Sequence, residues 1–351
     1  MTGNSSESTV RSRVGQLLSA TSTNEPLAVA TEWGIRNEAL MRRAIDLQLR
    51  FGTAITGIET TAARRRRREL NDAARLADVA VQPGKTRPVV NWHERGAGPA
   101  LLLLNGLAAS GLVWPDRWLR RLEQRYRVIR VDNRGSGWSR SAPHPFTIGD
   151  LAEDARNVLQ ACGIERATVL GLSLGGMIAQ ELAIRHPQAV QRLILVATRP
   201  PTPAQVPSDG DAMLALARTP QGGGDLRAFF ISMWGDLAAP GFAADHPDVM
   251  AELADQITRR IPPRSGLLNQ ARAACSWHSP TRLRAITAPT TVVHGDRDPL
   301  IPVGNGMRLA RLIPNATYVE LPQVGHLVPH EAGDALLRLL EAEAAVKGAG
   351  R

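Results

Sequence analysis

A glycine-framed serine, Gly171-Leu172-Ser173-Leu174-Gly175, stands where a short apolar run at 168–170 ends and a helical pattern over 173–185 begins. A strand that turns so sharply into a helix forces the serine backbone into a strained conformation. It admits only glycine at the flanks, lifts the hydroxyl above the sheet and aims the helix N-terminus at it. A serine hydroxyl is a poor nucleophile at neutral pH. It needs a neutral imidazole within hydrogen-bond reach, and that imidazole needs an acceptor for its other nitrogen. The chemistry in prospect is acyl transfer through a covalent intermediate.

Both partners are sought downstream, in the chain order serine, acid, histidine. His186, His246, His278, His294, His326 and His330 follow Ser173. His326, in Val324-Gly325-His326-Leu327, falls between the last strand-like run and the last helix-like one, where a loop can deliver a ring to the carboxyl edge of a sheet; His330 is its rival. For the acid, His294-Gly295-Asp296-Arg297-Asp298-Pro299 follows the run at 290–293. Asp298 lies in the loop beyond the strand end and is preferred, whereas Asp296 reads as a turn residue bonding nearby amides. The negative charge of a tetrahedral intermediate calls for backbone N–H donors. One is assigned to Leu174, the residue after the nucleophile. The other is assigned to Leu107, in the loop Asn105-Gly106-Leu107-Ala108, with Gly106 permitting the turn.

These residues need a frame, and the chain supplies one. Apolar runs at 88–93, 101–104, 128–131, 168–170, 192–196, 290–293 and 317–321 read as strands. Helical periods at 147–162, 173–185 and 331–346 alternate with them, the rhythm of a mostly parallel sheet covered on both faces. Between 199 and 288 the alternation stops. Pro200, Pro201, Pro203 and Pro207 open this stretch, and helical patches at 226–234 and 249–260 follow, so it reads as a helical cap inserted between core segments 88–198 and 289–351. Within it Met213, Leu214, Leu216, Phe229, Phe230, Met233, Trp234 and Trp277 are candidates for an apolar acyl pocket, with Phe230, Met233 and Trp234 foremost; each could equally belong to the core of the cap.

Residues 1–24, rich in Ser, Thr, Asn and Gly, read as a disordered tail, and 25–87 as a helical extension with an amphipathic period ended by Pro83, Gly84 and Pro88. The formal charge is +9, and residues 1–87 carry fourteen Lys/Arg against nine Asp/Glu, five of the arginines consecutive at 64–68. No aromatics interleave with them, which argues against nucleic acid. A solvated helix face, packing against the rest of the chain, self-association into a homodimer, and a lipid or granule surface remain as readings. Two cysteines, Cys162 and Cys275, are too few for a disulfide framework and lack metal-ligand spacing. With no secretory pattern at the N-terminus and no uncharged apolar stretch of about eighteen residues, the expectation is a cytoplasmic protein.

Taken together, the serine, acid and histidine motifs resemble those of the α/β-hydrolase superfamily across about 88–346. A fourth motif, Asp132-Asn133-Arg134-Gly135-Ser136-Gly137-Trp138-Ser139, matches the segment D-x-R-G-x-G-x-S of the branch that includes lactonases, methylesterases and haloperoxidase-like esterases. The resemblance implies a mostly parallel eight-stranded sheet with helices on both faces, a helical cap and an additional N-terminal helical extension. Where most of that branch has His-Gly, this chain has Asn105-Gly106. That substitution, with the segments at 295–302 and 313–316, is similar to intracellular depolymerases of medium-chain polyhydroxyalkanoates. Ser173 departs from the dehalogenases and epoxide hydrolases of the fold, which use an aspartate nucleophile. The function expected is cleavage of small or polymeric carboxylic esters by a carboxylesterase-like enzyme, with polyester depolymerase or lactonase as alternatives. No metal or organic cofactor is called for, since Gly222-Gly223-Gly224 follows no strand and so makes no phosphate loop. A non-catalytic ligand-binding protein on the same fold is the reading of another class; the complete Ser, Asp and His set argues against it.

Overall fold

Runs of consecutive aliphatic residues form strands when both faces of the sheet are covered, because alternate side chains then enter two different cores. Here Leu102 and Leu104 enter one apolar cluster and Leu101 and Leu103 the other, as do Leu193 and Leu195 against Ile194 and Val196. The computed structural model describes residues 81–82, 90–139, 145–208, 216, 218 and 224–348. The tail at 1–24, nearly all of the extension at 25–87, the arginines at 64–68, and Met213 and Leu214 lie outside them.

The sheet has eight strands: β1 (Val81–Gln82), β2 (Trp92–Arg95), β3 (Ala100–Leu104), β4 (Arg127–Val131), β5 (Ala167–Leu172), β6 (Val190–Val196), β7 (Thr290–Gly295) and β8 (Ala316–Leu321). Their spatial order is β1-β2-β4-β3-β5-β6-β7-β8. The pairs β1/β2 and β2/β4 are antiparallel, and every later pair is parallel. Two expectations need correcting. Val81 and Gln82, read as the end of a helical extension, form a strand opposite His93 and Trp92. The strand read over 88–93 runs on through Glu94 and Arg95 as β2, because these two pair with Ile129 and Val128 of the neighbouring strand.

One face of the sheet is covered by α1 (Asp116–Glu123) and α10 (Gly333–Gly348), through Trp118, Leu119 and Leu122 and through Leu336, Leu337 and Leu340. The other carries α2 (Ile148–Ala161), α3 (Leu174–Arg185) and α8 (Gly304–Leu312). Helix α2 starts where Thr147 and Asp150 cap each other reciprocally, each side chain accepting the other's backbone N–H. Helix α3 is buried on all sides, Gln180 and Glu181 included, as a helix pressed between the sheet and its neighbours must be. Between β6 and β7 come α4 (Leu226–Gly235), α5 (Phe242–Asp245), α6 (Pro247–Arg259) and α7 (Arg264–Cys275). Helices α4 and α6 share a third cluster through Phe230, Met233, Met250, Leu253 and Ile257, joined by Val113, Leu300 and Leu327 from the loops at the carboxyl edge of the sheet. The helix read over 331–346 is broken into α9 (Val328–Glu331) and α10.

Candidate active site

Ser173 sits between β5 and α3 with φ at +55° and ψ at −116°, a backbone conformation that non-glycine residues rarely adopt. The neighbouring chain imposes it. A Cβ on Gly171 would lie 2.3 Å from the Gly175 carbonyl oxygen, and one on Gly175 would lie 2.0 Å from that of Leu104. The strained residue is held from both sides. Its N–H donates to the Val196 carbonyl at 2.9 Å, and its own carbonyl accepts from Thr198 Oγ1 at 2.7 Å and from the Gly176 N–H at 2.9 Å.

His326 and Asp298 arrive from the loops after β8 and β7. His326 Nδ1 lies 2.8 Å from Asp298 Oδ2, and both residues are buried. The other carboxylate oxygen, Oδ1, accepts from the N–H groups of Leu300 and Ile301 at 2.9 and 2.8 Å. Burial alone would raise the Asp298 carboxyl, but the His326 and His294 imidazoles more than offset it and hold the pKa down at about 2. His294, quoted in the motif without a role, therefore belongs to the site. Its Nε2 is 2.8 Å from the Ile301 carbonyl and 3.3 Å from Asp298 Oδ2. Because a carbonyl only accepts, that nitrogen carries the proton and presents it to the carboxylate edge. Asp296 stands in the turn after β7, but its Oδ1 accepts the N–H of Gln323 at 2.7 Å, from the loop after β8 and not from an amide of its own turn.

Glu331 frames the His326 loop. Its carboxylate accepts the N–H groups of Gly325, Leu327 and Ala239 at 2.7, 2.8 and 2.9 Å, which fixes the residues on both sides of His326 and ties them to the segment after α4. His326 itself donates its backbone N–H to Leu237.

Ser173 and His326 open onto one cavity, which is also lined by Gly106, Leu107, Val113, Trp114, Leu216, Trp234, Leu253, Leu300 and His330, among others. Leu107 is in its wall. Leu174 is the first residue of α3, where its N–H has no acceptor within the helix. Gly106 needs a different explanation from the one expected. The left-handed residue of that loop is Ala108, at φ +61°, and a Cβ on Gly106 would make only ordinary contact with that of Ser173 at 3.5 Å, so the turn itself does not demand glycine there. Asn105 is a brace: Nδ2 donates to the Val131 carbonyl at 2.6 Å, and Oδ1 accepts from Trp114 Nε1. In the fourth motif, Asp132 gathers the N–H groups of Gly111 and Trp138 at 2.7 and 2.9 Å.

Of the three foremost pocket candidates, only Trp234 lines the cavity. Phe230 and Met233 are buried in the α4/α6 cluster, and Trp277 is buried in the sheet core with Nε1 3.3 Å from Glu181 Oε2. The helical period does not separate them, since residue 234 lies about 40° from 230 on α4 and 233 about 60°, and Trp234 packs against the same cluster while also reaching the cavity. Burial and Glu94 push the Cys162 thiol up to about 12, so it stays protonated and offers no competing nucleophile. Among the described residues no cluster of His, Cys, Asp and Glu could hold a metal, and no helix is long and apolar enough to cross a membrane.

Gln270 of α7 escaped sequence reading because it lies 162 residues from its partner. Its Oε1 accepts the Ala108 N–H at 2.8 Å and its Nε2 donates to the Arg134 carbonyl at 3.0 Å, so one buried amide anchors the Leu107 loop to the fourth motif. Gln270→Leu is expected to lower kcat for a small ester about tenfold with little change in KM, because two buried backbone groups lose their partner and the loop shifts. Steady-state kinetics, with a thermal melt to confirm folding, would check this; a pure KM effect would count against it.

Residues 99–332 match the α/β-hydrolase fold family. A Caulobacter vibrioides protein named as a carbamate hydrolase is 29% identical over 261 residues, covering 71% of this chain and 94% of its own. The 2-hydroxymuconate semialdehyde hydrolase of Pseudomonas putida is 31% identical over 267 residues, covering 72% and 89%. The crystal structure of an enol-lactonase from Burkholderia xenovorans superposes with a TM-score of 0.63 at 24% identity, covering 72% of this chain and 95% of that one. With its elbow serine, its sheet order and this match over most of its length, the chain belongs to the α/β-hydrolase fold family.

Proposed function

We propose that the protein hydrolyses carboxylic esters with small acyl groups by way of an acyl-enzyme on Ser173. The observation that carries this reading is the strained serine sharing a cavity with an imidazole whose Nδ1 is held by a buried carboxylate at 2.8 Å. With Nδ1 so engaged, Nε2 is left to take the proton from Ser173 Oγ as that oxygen attacks the ester carbonyl carbon. The developing oxyanion is met by the N–H groups of Leu107 and Leu174. When the tetrahedral centre collapses, its bond to the alkoxy oxygen breaks and the alcohol leaves with the proton from His326. Water then gives a proton to the same nitrogen, attacks the acyl-enzyme and frees the acid, and the proton returns to Ser173.

The cavity supports a small acyl group over a polymer. Partly open, it holds about 40 Å³ within the described residues, whereas a single water needs roughly 10–15 Å³ on the same measure. The test is a series of p-nitrophenyl esters from two to sixteen carbons, with a serine-directed phosphonate as covalent probe. The expected result is a maximum kcat/KM between two and about five acyl carbons, and a single phosphonyl adduct that maps to Ser173. A best substrate of eight carbons or more would overturn the size argument and revive the polyester reading. No adduct and no turnover would sink the serine mechanism.

A further inference from the structure

Three consecutive backbone N–H groups around His326 find their acceptors outside the sheet. Those of Gly325 and Leu327 donate to the two carboxylate oxygens of Glu331, at 2.7 and 2.8 Å, and that of His326 donates to the Leu237 carbonyl at 2.9 Å. The Glu331 oxygen that takes Gly325 also takes the Ala239 N–H, at 2.9 Å. Packing adds a further contact. Gly325 has no positive φ, yet a Cβ on it would lie 2.3 Å from Ala239 N and 2.5 Å from the Ala238 carbonyl carbon. It is therefore the approach of the stretch after α4, and not the turn of its own loop, that demands glycine there.

That stretch is also cavity wall. Trp234 and Leu237 line the cavity, and the N–H groups of Leu237 and Ala238 return to the Trp234 carbonyl at 3.0 and 3.2 Å. A carboxylate suits the junction because both of its oxygens only accept, whereas an amide would turn a donor toward one of the three N–H groups. Resting on the ester-hydrolase reading of Ser173, we infer that Glu331 is a positioning residue for His326: its carboxylate joins the loop that bears the base to the end of α4, so that this part of the cavity wall and the base form one unit. The rate of reaction, more than binding, depends on that junction. The imidazole must stand within hydrogen-bond reach of Ser173 Oγ, and a displacement of about 1 Å costs up to about a hundredfold.

The first test is Glu331→Gln, which keeps the size of the side chain and removes its charge. The amide oxygen can keep Gly325 and Ala239, while the amide nitrogen meets the Leu327 N–H donor to donor. With p-nitrophenyl butyrate, well below the melting temperature of the variant, kcat is expected to fall about tenfold with KM held within about twofold, and phosphonylation of Ser173 to slow by the same factor as kcat. A residue that only stabilised the fold would lower the melting temperature and leave both rates of the folded protein alone. Unchanged rates, or a loss confined to KM, would overturn the positioning role.

A second measurement needs no substitution and decides the matter if Glu331→Gln does not fold. It is amide hydrogen exchange of the wild type, read residue by residue. If the junction makes one unit, the N–H groups of Gly325, Leu327 and Ala239 open together, and their protection factors agree within about tenfold. A larger spread would show that the stretch after α4 opens on its own, and would overturn the junction. The two failures stay separate. Matched protection in a wild type that turns over no ester refutes the ester-hydrolase reading alone; Ser173-dependent hydrolysis that Glu331→Gln leaves unchanged refutes the positioning role alone.

Discussion

Ser173→Ala is expected to lower kcat for a short p-nitrophenyl ester by roughly 10⁴–10⁶-fold while leaving the fold intact. The substitution removes one oxygen that faces the cavity. The contacts that hold the elbow all run through backbone atoms of residue 173 or through Val196, Thr198 and Gly176, and these remain. The informative comparison is with His326→Ala and with the double variant. If hydroxyl and imidazole work as one unit, each single change removes nearly the whole covalent route, and the double variant is no slower than either. Losses that multiply would mean that the two residues act in separate steps. Burst kinetics add a sign: the wild type shows a stoichiometric burst of nitrophenol if deacylation is the slower half, and Ser173→Ala shows none.

Such predictions can be framed because each group of the proposed triad stands in a short motif of its own, although Ser173 lies far along the chain from Asp298 and His326. The elbow is readable in five residues, since only glycine fits at positions 171 and 175, where a Cβ would meet backbone atoms at 2.3 and 2.0 Å. The strands too were legible where aliphatic runs feed two cores, as in Leu101 to Leu104. Edges were less so. Strand β2 is displaced toward Arg95 because its pairing with β4, and not its own composition, decides where it ends. Helix α1 went unread altogether. Its eight residues are mostly charged and span only about two turns, so the face that Trp118, Leu119 and Leu122 share is too short to stand out as a helical period.

The support around the chemistry was not legible, for a related reason. Gln270, Glu331 and His294 act through partners set by the tertiary fold. Ala108 is 162 residues from Gln270, and Ala239 is 92 from Glu331. His294 lies four residues from Asp298 yet depends on the turn that brings the Ile301 carbonyl to its Nε2. The pocket misassignments have the same root. Apolar residues on α4 pack into the α4/α6 cluster, and only the tertiary packing shows that Phe230 and Met233 are buried there while Trp234, packed against the same cluster, also reaches the cavity.

Asp298→Asn is expected to cost about 10⁴-fold in kcat near neutral pH, in a protein that still folds and still binds substrate. In the variant the amide oxygen can keep the two N–H donors of Leu300 and Ile301, so the turn survives. The amide nitrogen then replaces Oδ2, where His326 Nδ1 at 2.8 Å and His294 Nε2 at 3.3 Å both require an acceptor. His294 cannot move its proton to the other nitrogen, because its Nε2–H is committed to the Ile301 carbonyl. His326 can, and by doing so it turns Nδ1 into an acceptor and Nε2 into a donor. That tautomer presents a hydrogen to Ser173 where a base is needed. The pH dependence separates this account from simple loss of charge. In the wild type the carboxylate, with its pKa held at about 2, stays ionised throughout the working range, so Asp298 itself contributes no acid limb to the activity. Its stabilising effect follows the depressed-carboxylate sign: folded below its ordinary value of 3.8, it contributes fully above that value and is lost as pH falls toward 2. The stability gap between wild type and Asp298→Asn is therefore expected to be flat from pH 5 to 7 and to narrow below pH 4. A gap that widens on acidification would show that Asp298 is a protonated acid in the fold, and would take with it both the tautomer argument and the role given to His326.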